Sequence, residues 1–179
     1  PADDRGGGRE VTSREQKEHE THEPVYRLGV EWTNSRHWLG CRVLVTGASG
    51  FLGRALCQLL AEAGAEVHGT WRSRPPAPDV HDHHAVLPAD ALELIARIEP
   101  KRVFHLASPI DHRTDLDAWE MLRPGIFDAS IAIARGAASV GARLIHVGTC
   151  AEYGKVSSPL RETQICRPSN AYGGLKLAA

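Results

Sequence analysis

The four cysteines of this chain (Cys41, Cys57, Cys150 and Cys166) are scattered, with no CxxC pair among them. That leaves neither a zinc-ribbon ligand set nor a dithiol redox pair, and it fits a reduced, cytoplasmic chain. No apolar run reaches the about 18 residues that would mark a membrane-spanning helix. The first twenty residues are charged and lack an apolar core, so no signal peptide is expected. Neither sign of charge dominates: 21 Lys and Arg stand against 22 Asp and Glu, a net charge of −1. This balance argues against nucleic acid or an anionic membrane as a partner. Internal repeats are absent too. What is present is 179 residues of 42% apolar composition, enough for one domain with a core and short for two. The chain begins at Pro1 and ends at Ala179 inside an amphipathic pattern, so it is expected to be a piece of a longer protein.

Residues 1–38 form a polar zone of their own. DDRGGGREVTSREQKEHETHE is charged, Gly-bearing and poor in large apolar side chains, and is expected to be disordered or loosely attached. VYRLGVEW, after it, could add a short strand or a helical turn. His19, His22 and His37 are expected to be solvated rather than metal ligands.

From residue 39 the texture is that of one α/β domain. Arg42–Thr46 is a β-branched run suited to a buried parallel strand. Leu52, Ala55, Leu56, Leu59, Leu60 and Ala63 recur at helical spacing, with Gly64 closing the helix. Strands are expected at Glu66–Trp71, Ala85–Leu87, Arg102–Ala107 and Leu144–Thr149. Helices are expected over Asp90–Ile98, over Leu116–Val140 with a break at Pro124–Gly125, and again after Asn170. This alternation predicts a parallel sheet covered on both faces.

Three glycines, Gly47, Gly50 and Gly53, lie between the first strand and the first helix in VLVTGASGFLG. There Gly47 permits a tight turn, Gly50 lets a pyrophosphate approach the backbone, and Gly53 lets helix and strand pack closely. Ser49 belongs to the same loop. The N–H groups near Phe51 and Leu52 open the helix and favour an anion. A second strand of this kind often ends in an acid for ribose hydroxyls. Here it ends GTWRSR, and Arg72 and Arg74 suit a 2′-phosphate instead. That favours NADP over NAD; the competing reading is a pair of solvated loop arginines. Asp90 is a candidate for the adenine amino group.

Two further stretches carry chemistry. GTCAEYG puts Thr149 just past the fifth strand, where open α/β sheets bind ligands. PSNAYGGLK places Tyr172 and Lys176 four apart at a helix start, on one face. A cation beside the phenol favours phenolate, and such a tyrosine can exchange a proton with an alcohol.

TGASGFLG, HLAS, GTCAEYG and PSNAYGGLK together resemble the extended short-chain dehydrogenase/reductases, the NAD(P)-dependent nucleotide-sugar epimerase/dehydratase group, over about residues 41–179. The resemblance implies a Rossmann-type doubly wound sheet over residues 39–179, truncated before a C-terminal substrate domain. It implies that Gly47, Gly50 and Gly53 meet the pyrophosphate and that Ala107 and Ser108 line the cofactor. It implies a Thr149, Tyr172 and Lys176 triad, with Lys176 also holding the nicotinamide ribose. It also implies a nucleotide-sugar substrate and a homodimeric parent. VHGTWRS is similar to the corresponding stretch of NADP-using GDP-mannose dehydratases.

Sugar 4,6-dehydratases carry a carboxylate two residues after the Thr. Ala151 stands there, with Glu152 one place later, which favours epimerase or ketoreductase chemistry. A reductase of a non-sugar carbonyl or alcohol, and a dinucleotide-binding module without turnover, are the alternatives. No metal site is expected: HDHH at His81–His84 reads as a Pro-flanked surface loop without a second ligand group. His105 and His146 are expected to be hydrogen-bonded core residues, Cys150 a small packing residue, and Trp119 and Met121 core-facing on their helix.

Overall fold

The computed structural model describes residues 37–76, 78–111, 113 and 115–179. The expectations for residues 1–36, the VYRLGVEW segment, His19 and His22 lie outside the described residues. Five strands form one all-parallel sheet: β1 (Arg42–Thr46), β2 (Glu66–Trp71), β3 (His81–His84), β4 (Arg102–His105) and β5 (Arg143–His146). Their spatial order is β3-β2-β1-β4-β5. The helices are α1 (Phe51–Glu62), α2 (Ala91–Ile98), α3 (Leu116–Arg123), α4 (Ala129–Ser139) and α5 (Ala171–Ala178). The alternation predicts a parallel sheet covered on both faces, and the strand order is the doubly wound, Rossmann-like arrangement that the resemblance implies.

Central β1 has Val43, Leu44 and Val45 at 0% exposure, because helices cover both of its faces. Val43 and Val45 pack with Cys57, Leu60 and Val67 beneath α1. Leu44 and Val103 point the other way, to Leu94 and Ile95 of α2 and Ile133 and Ala137 of α4. The stripe on α1 differs from the expected one. Gly53, Cys57 and Leu60 face the sheet, while Leu52 and Leu59 are each 58% exposed. The turn before the helix sets this phase: only Gly53 fits against the Gly47 carbonyl and the Ala48 backbone, and its i+4 and i+7 neighbours follow it inward.

The third strand is His81–His84 rather than Ala85–Leu87, and HDHH is therefore an edge strand, not a loop. The run has no apolar side chain to announce it. Parallel pairing with β2 makes it a strand, His68 aligning with His81 and Trp71 with His84. The His68 ring stacks on His81 and His83, and its Nδ1 lies 3.0 Å from His83 Nε2.

β4 ends at His105, short of the expected Ala107, because the next two N–H groups leave the ladder for the Thr46 hydroxyl. Strand β5 follows suit: Val147 N–H makes one more bond, to His105 O at 3.3 Å, and the expected extension to Thr149 has no partner. Pro124 does not break the long helix. A π-helical turn over Pro124–Asp128 joins α3 to α4, giving the ring room where its missing N–H and its bulk would disturb an α-helix. Leu122 and Ile126 meet Ala171 and Leu175 of α5 in a separate cluster. Trp119 and Met121 do not face a core as expected, being 39% and 54% exposed. The Trp119 indole edge lies instead against Gly174, and Met121 Sδ accepts from Arg113. Among the described residues no helix is long and apolar enough to cross a membrane.

Candidate functional site

The carboxyl ends of β1, β2 and β4 open into a cavity of about 510 Å³. Seven of the residues singled out from the sequence line it: Gly47, Ser49, Gly50, Arg72, Arg74, Ala107 and Ser108. Gly47 has φ +72, and a Cβ on it would stand 3.0 Å from the Ala107 backbone, so the β1 turn and the segment after β4 touch there. The turn is held from β2: Gly47 N–H donates to Thr70 Oγ1 at 3.3 Å and Ala48 N–H to Thr70 O at 3.0 Å.

Phe51, Leu52 and Gly53 are not in the cavity wall. The Phe51 side chain is 91% exposed and Gly53 is buried beneath the turn. Phe51 and Leu52 do open α1, where backbone N–H groups lack intrahelical acceptors, and the chain before them (Gly50) is extended.

Arg72 and Arg74 line the cavity with Arg54, which sequence reasoning missed. Arg54 Nε donates to Ser49 O at 3.0 Å, which anchors this guanidinium beside the glycine turn. Its position one helical turn past Gly50 was the signal that could have found it. No carboxylate lines this cavity among the described residues, so its charge is cationic throughout. Asp90 is not in the wall; its carboxylate accepts from Val86 N–H at 2.6 Å.

Thr149, Tyr172 and Lys176 lie outside the cavity lining. Asn170 starts α5 by accepting Gly173 N–H on its side-chain oxygen at 2.8 Å. Gly173 lets this helix approach the Ala151 carbonyl, where a Cβ would collide. Lys176 is 5% exposed and its Nζ donates to Val147 O at 2.9 Å. Burial holds its pKa below the ordinary lysine value, and the Glu152 carboxylate offsets part of that. Tyr172 is half-buried against the cluster of Leu122, Ile126 and Leu175.

Thr149 caps a short 3₁₀ turn, Cys150–Glu152. Its hydroxyl accepts from Ala151 N–H at 3.3 Å, and its own N–H donates to Glu152 Oε1 at 2.8 Å. Glu152 is thus folded back on the backbone of Thr149. Cys150 is exposed, not a packing residue. All four cysteines are free.

His105 is a hydrogen-bonded core residue as expected, whereas His146 is only half-buried. His146 packs against the His105 ring at 5.5 Å, and its Nε2 is buried with no hydrogen-bond partner among the described residues. Among the described residues no group of three His, Cys, Asp or Glu side chains converges as a metal site would require.

Comparison with known proteins places this geometry in a family. The family model described as "NAD dependent epimerase/dehydratase family" matches residues 43–179. The chain is similar to a dTDP-6-deoxy-L-talose 4-dehydrogenase (NAD(P)(+)) of Kitasatospora kifunensis, 34% identical over 148 residues, covering 80% of this chain and 46% of that protein. It is also similar to the methionine adenosyltransferase 2 subunit beta of Xenopus tropicalis, 34% identical over 141 residues, covering 77% of this chain and 41% of that one. Among solved structures, MoeE5 in complex with UDP-glucuronic acid and NAD superposes with a TM-score of 0.69 at 26% identity, covering 76% of this chain and 46% of that one. The chain spans less than half the length of these relatives.

Proposed function

Because the chain belongs to the NAD dependent epimerase/dehydratase family, we propose that residues 39–179 are the dinucleotide-holding part of an enzyme acting on a nucleotide-activated sugar. One observation carries the reading: a single cavity gathers the glycine turn, the Ala107–Ser108 segment and three arginines, with no acid in its wall. The shape and charge fit an extended ligand with phosphate groups. Gly47 and Gly50 would border the pyrophosphate, with the first turn of α1 behind it. Arg72 and Arg74, joined by Arg54, support NADP over NAD through a 2′-phosphate.

When bound, the nicotinamide supplies a place for hydride to go and return from. The chain's own residues supply the proton chemistry. Tyr172 takes a proton from, or returns it to, a hydroxyl oxygen of the sugar. Lys176, held against Val147 O, keeps a positive charge on the same helix face and stabilises the phenolate. Thr149 orients the reacting oxygen with its hydroxyl. Epimerase or ketoreductase chemistry is favoured over 4,6-dehydration. Ala151 stands where a dehydratase needs a carboxylate, and Glu152 is occupied by the Thr149 N–H. The exposed Met121 and Leu177, on α3 and α5, support a homodimeric parent joined through these helices.

A second reading has its own support. The relative from Xenopus tropicalis is named as a subunit of another enzyme, which fits a binding module without turnover. Parallel calorimetric titrations with NADPH and NADH test the cofactor reading. NADPH is expected to bind more tightly, with the advantage reduced about tenfold by Arg72→Ala; equal affinity for both would remove the 2′-phosphate argument. Tyr172→Phe in the longer parent separates the two functions: it should abolish turnover and spare dinucleotide binding, and unchanged turnover would remove the tyrosine from the chemistry.

A further inference from the structure

Behind the cavity wall, Thr46, His105 and Ser130 form a buried polar chain, each at most 5% exposed. Its hydrogens can be assigned by counting. Ser130 Oγ lies 2.6 Å from Ile126 O, which can only accept, so the serine hydrogen goes there. Ser130 can then only accept from His105 Nε2, 3.2 Å away. Nε2 therefore carries the imidazole hydrogen and Nδ1 keeps a lone pair. The Thr46 hydroxyl, 2.7 Å from Nδ1, gives its hydrogen to that lone pair. Both lone pairs of Thr46 Oγ1 are left free for Leu106 N–H at 3.2 Å and Ala107 N–H at 3.1 Å. Every hydrogen in the chain has an acceptor, and both lone pairs of Thr46 Oγ1 are taken. The opposite tautomer would take one of the Thr46 lone pairs and leave two N–H groups of the half-buried wall to share the other.

We propose that His105, as its neutral Nε2–H tautomer, is the positioning residue of the dinucleotide groove: it aims the Thr46 hydroxyl, and the hydroxyl fixes the Leu106–Ala107 backbone that forms one wall. The proposal rests on the dinucleotide reading of that groove. Leu106 and Ala107 both line the cavity, and Ala107 is the segment that touches the Gly47 turn. The groups around the ring keep it neutral. Burial first, then the neighbouring His146 of β5 and Lys176 of α5, push its pKa down to about 4. Ser130 ties the arrangement to α4, so one imidazole links β1, β4 and α4.

Nitrogen NMR of the imidazoles, in the whole 179-residue chain, reads the tautomer directly. His105 should show the Nε2–H form without titrating between about pH 5 and 8. An Nδ1–H or charged form in that range would overturn the proposal. Two substitutions at the relay partner then test the positioning. Thr46→Val keeps the shape and removes the hydroxyl, whereas Thr46→Ser restores it. Amide exchange at Leu106 and Ala107 should speed up about tenfold relative to the amides of β4 in Thr46→Val and stay near wild type in Thr46→Ser. The NADPH dissociation constant should follow the same order, and His105→Leu should match Thr46→Val in both readouts. Wild-type exchange at these two amides in Thr46→Val or in a folded His105→Leu would overturn the proposal. If wild type binds no dinucleotide, the ligand reading of the groove falls, while tautomer and exchange still decide what His105 does to the wall.

Discussion

The ammonium of Lys176 and the carbonyl of Val147 are 2.9 Å apart, so the helix that carries Tyr172 is moored to the end of β5 by the charged group of the proposed triad. Replacing Lys176 with Met removes a buried charge and also leaves a carbonyl without its donor. The two effects oppose each other, each on the order of 1–3 kcal/mol. The expected outcome is a small net change in a urea melt, with turnover of the longer parent lost. A large loss of stability with turnover retained would make Lys176 a structural residue only.

The same lysine gives a pH signature. Its folded pKa lies below the ordinary lysine value of 10.5, so in the window between the two the unfolded chain binds more protons. Stability should therefore rise with pH through that window, and the rise should be absent in Lys176→Met. Denaturant melts across the alkaline range provide the check.

At acid pH the dominant buried group is His105. Its pKa is pushed from 6.5 down to about 4, so it must be neutral for the fold to hold it. The unfolded chain takes up the proton first as pH falls. Its contribution is complete above about pH 6.5 and is lost on the way to pH 4, on the order of 3 kcal/mol in all. His68, His83 and His146 are also lowered by burial and add in the same direction. Melts from pH 7 to pH 4 should show this decline, and His105→Asn should flatten it. An equal decline in the variant would assign the effect to the other histidines.

Gly47→Ala should damage the groove more than any nearby surface change. Its φ of +72 disfavours an L side chain by about 1–2 kcal/mol, and the new methyl would press on the Ala107 backbone. Loss of both thermal stability and dinucleotide binding is expected; a variant that binds as wild type would mean the turn can relax without cost.

Glu152→Ala should free Thr149 N–H and withdraw the carboxylate that partly supports the charge on Lys176. The Lys176 pKa should fall further from its ordinary value, as nitrogen NMR of the lysines would report. No movement would show that Glu152 acts on Thr149 alone.

Much of this was legible one residue at a time, and what was not has a common cause. β1, α1 and the glycine turn announce themselves through a β-branched run and a fixed spacing, both local signals. β3 does not, because HDHH becomes a strand only by pairing with a β2 that lies thirteen residues earlier, His68 to His81. The expected stripe on α1 had the right period and the wrong phase, since Gly53 sets the phase through contact with another segment. In the site, Gly47, Arg72 and Ser108 could be named from motifs, whereas Arg54 and Thr70 reach the cavity through helix phase and strand pairing. The chain of Thr46, His105 and Ser130 joins three elements and leaves no spacing in the sequence by which to find it.

The π-helical turn at Pro124–Asp128 acts on the long helix as a gear does on a shaft. Before it Ala118 and Leu122, and within it Ile126, mesh with α5; after it, Ile133 and Ala137 mesh with α2 and the sheet. Removing any one residue from the turn would rotate α4 by about 100° about its own axis. Ser130 would come off His105 and Gly136 would come off Ile95, although neither residue had been touched. These two clusters are therefore timed to each other, and the timing is kept at Pro124.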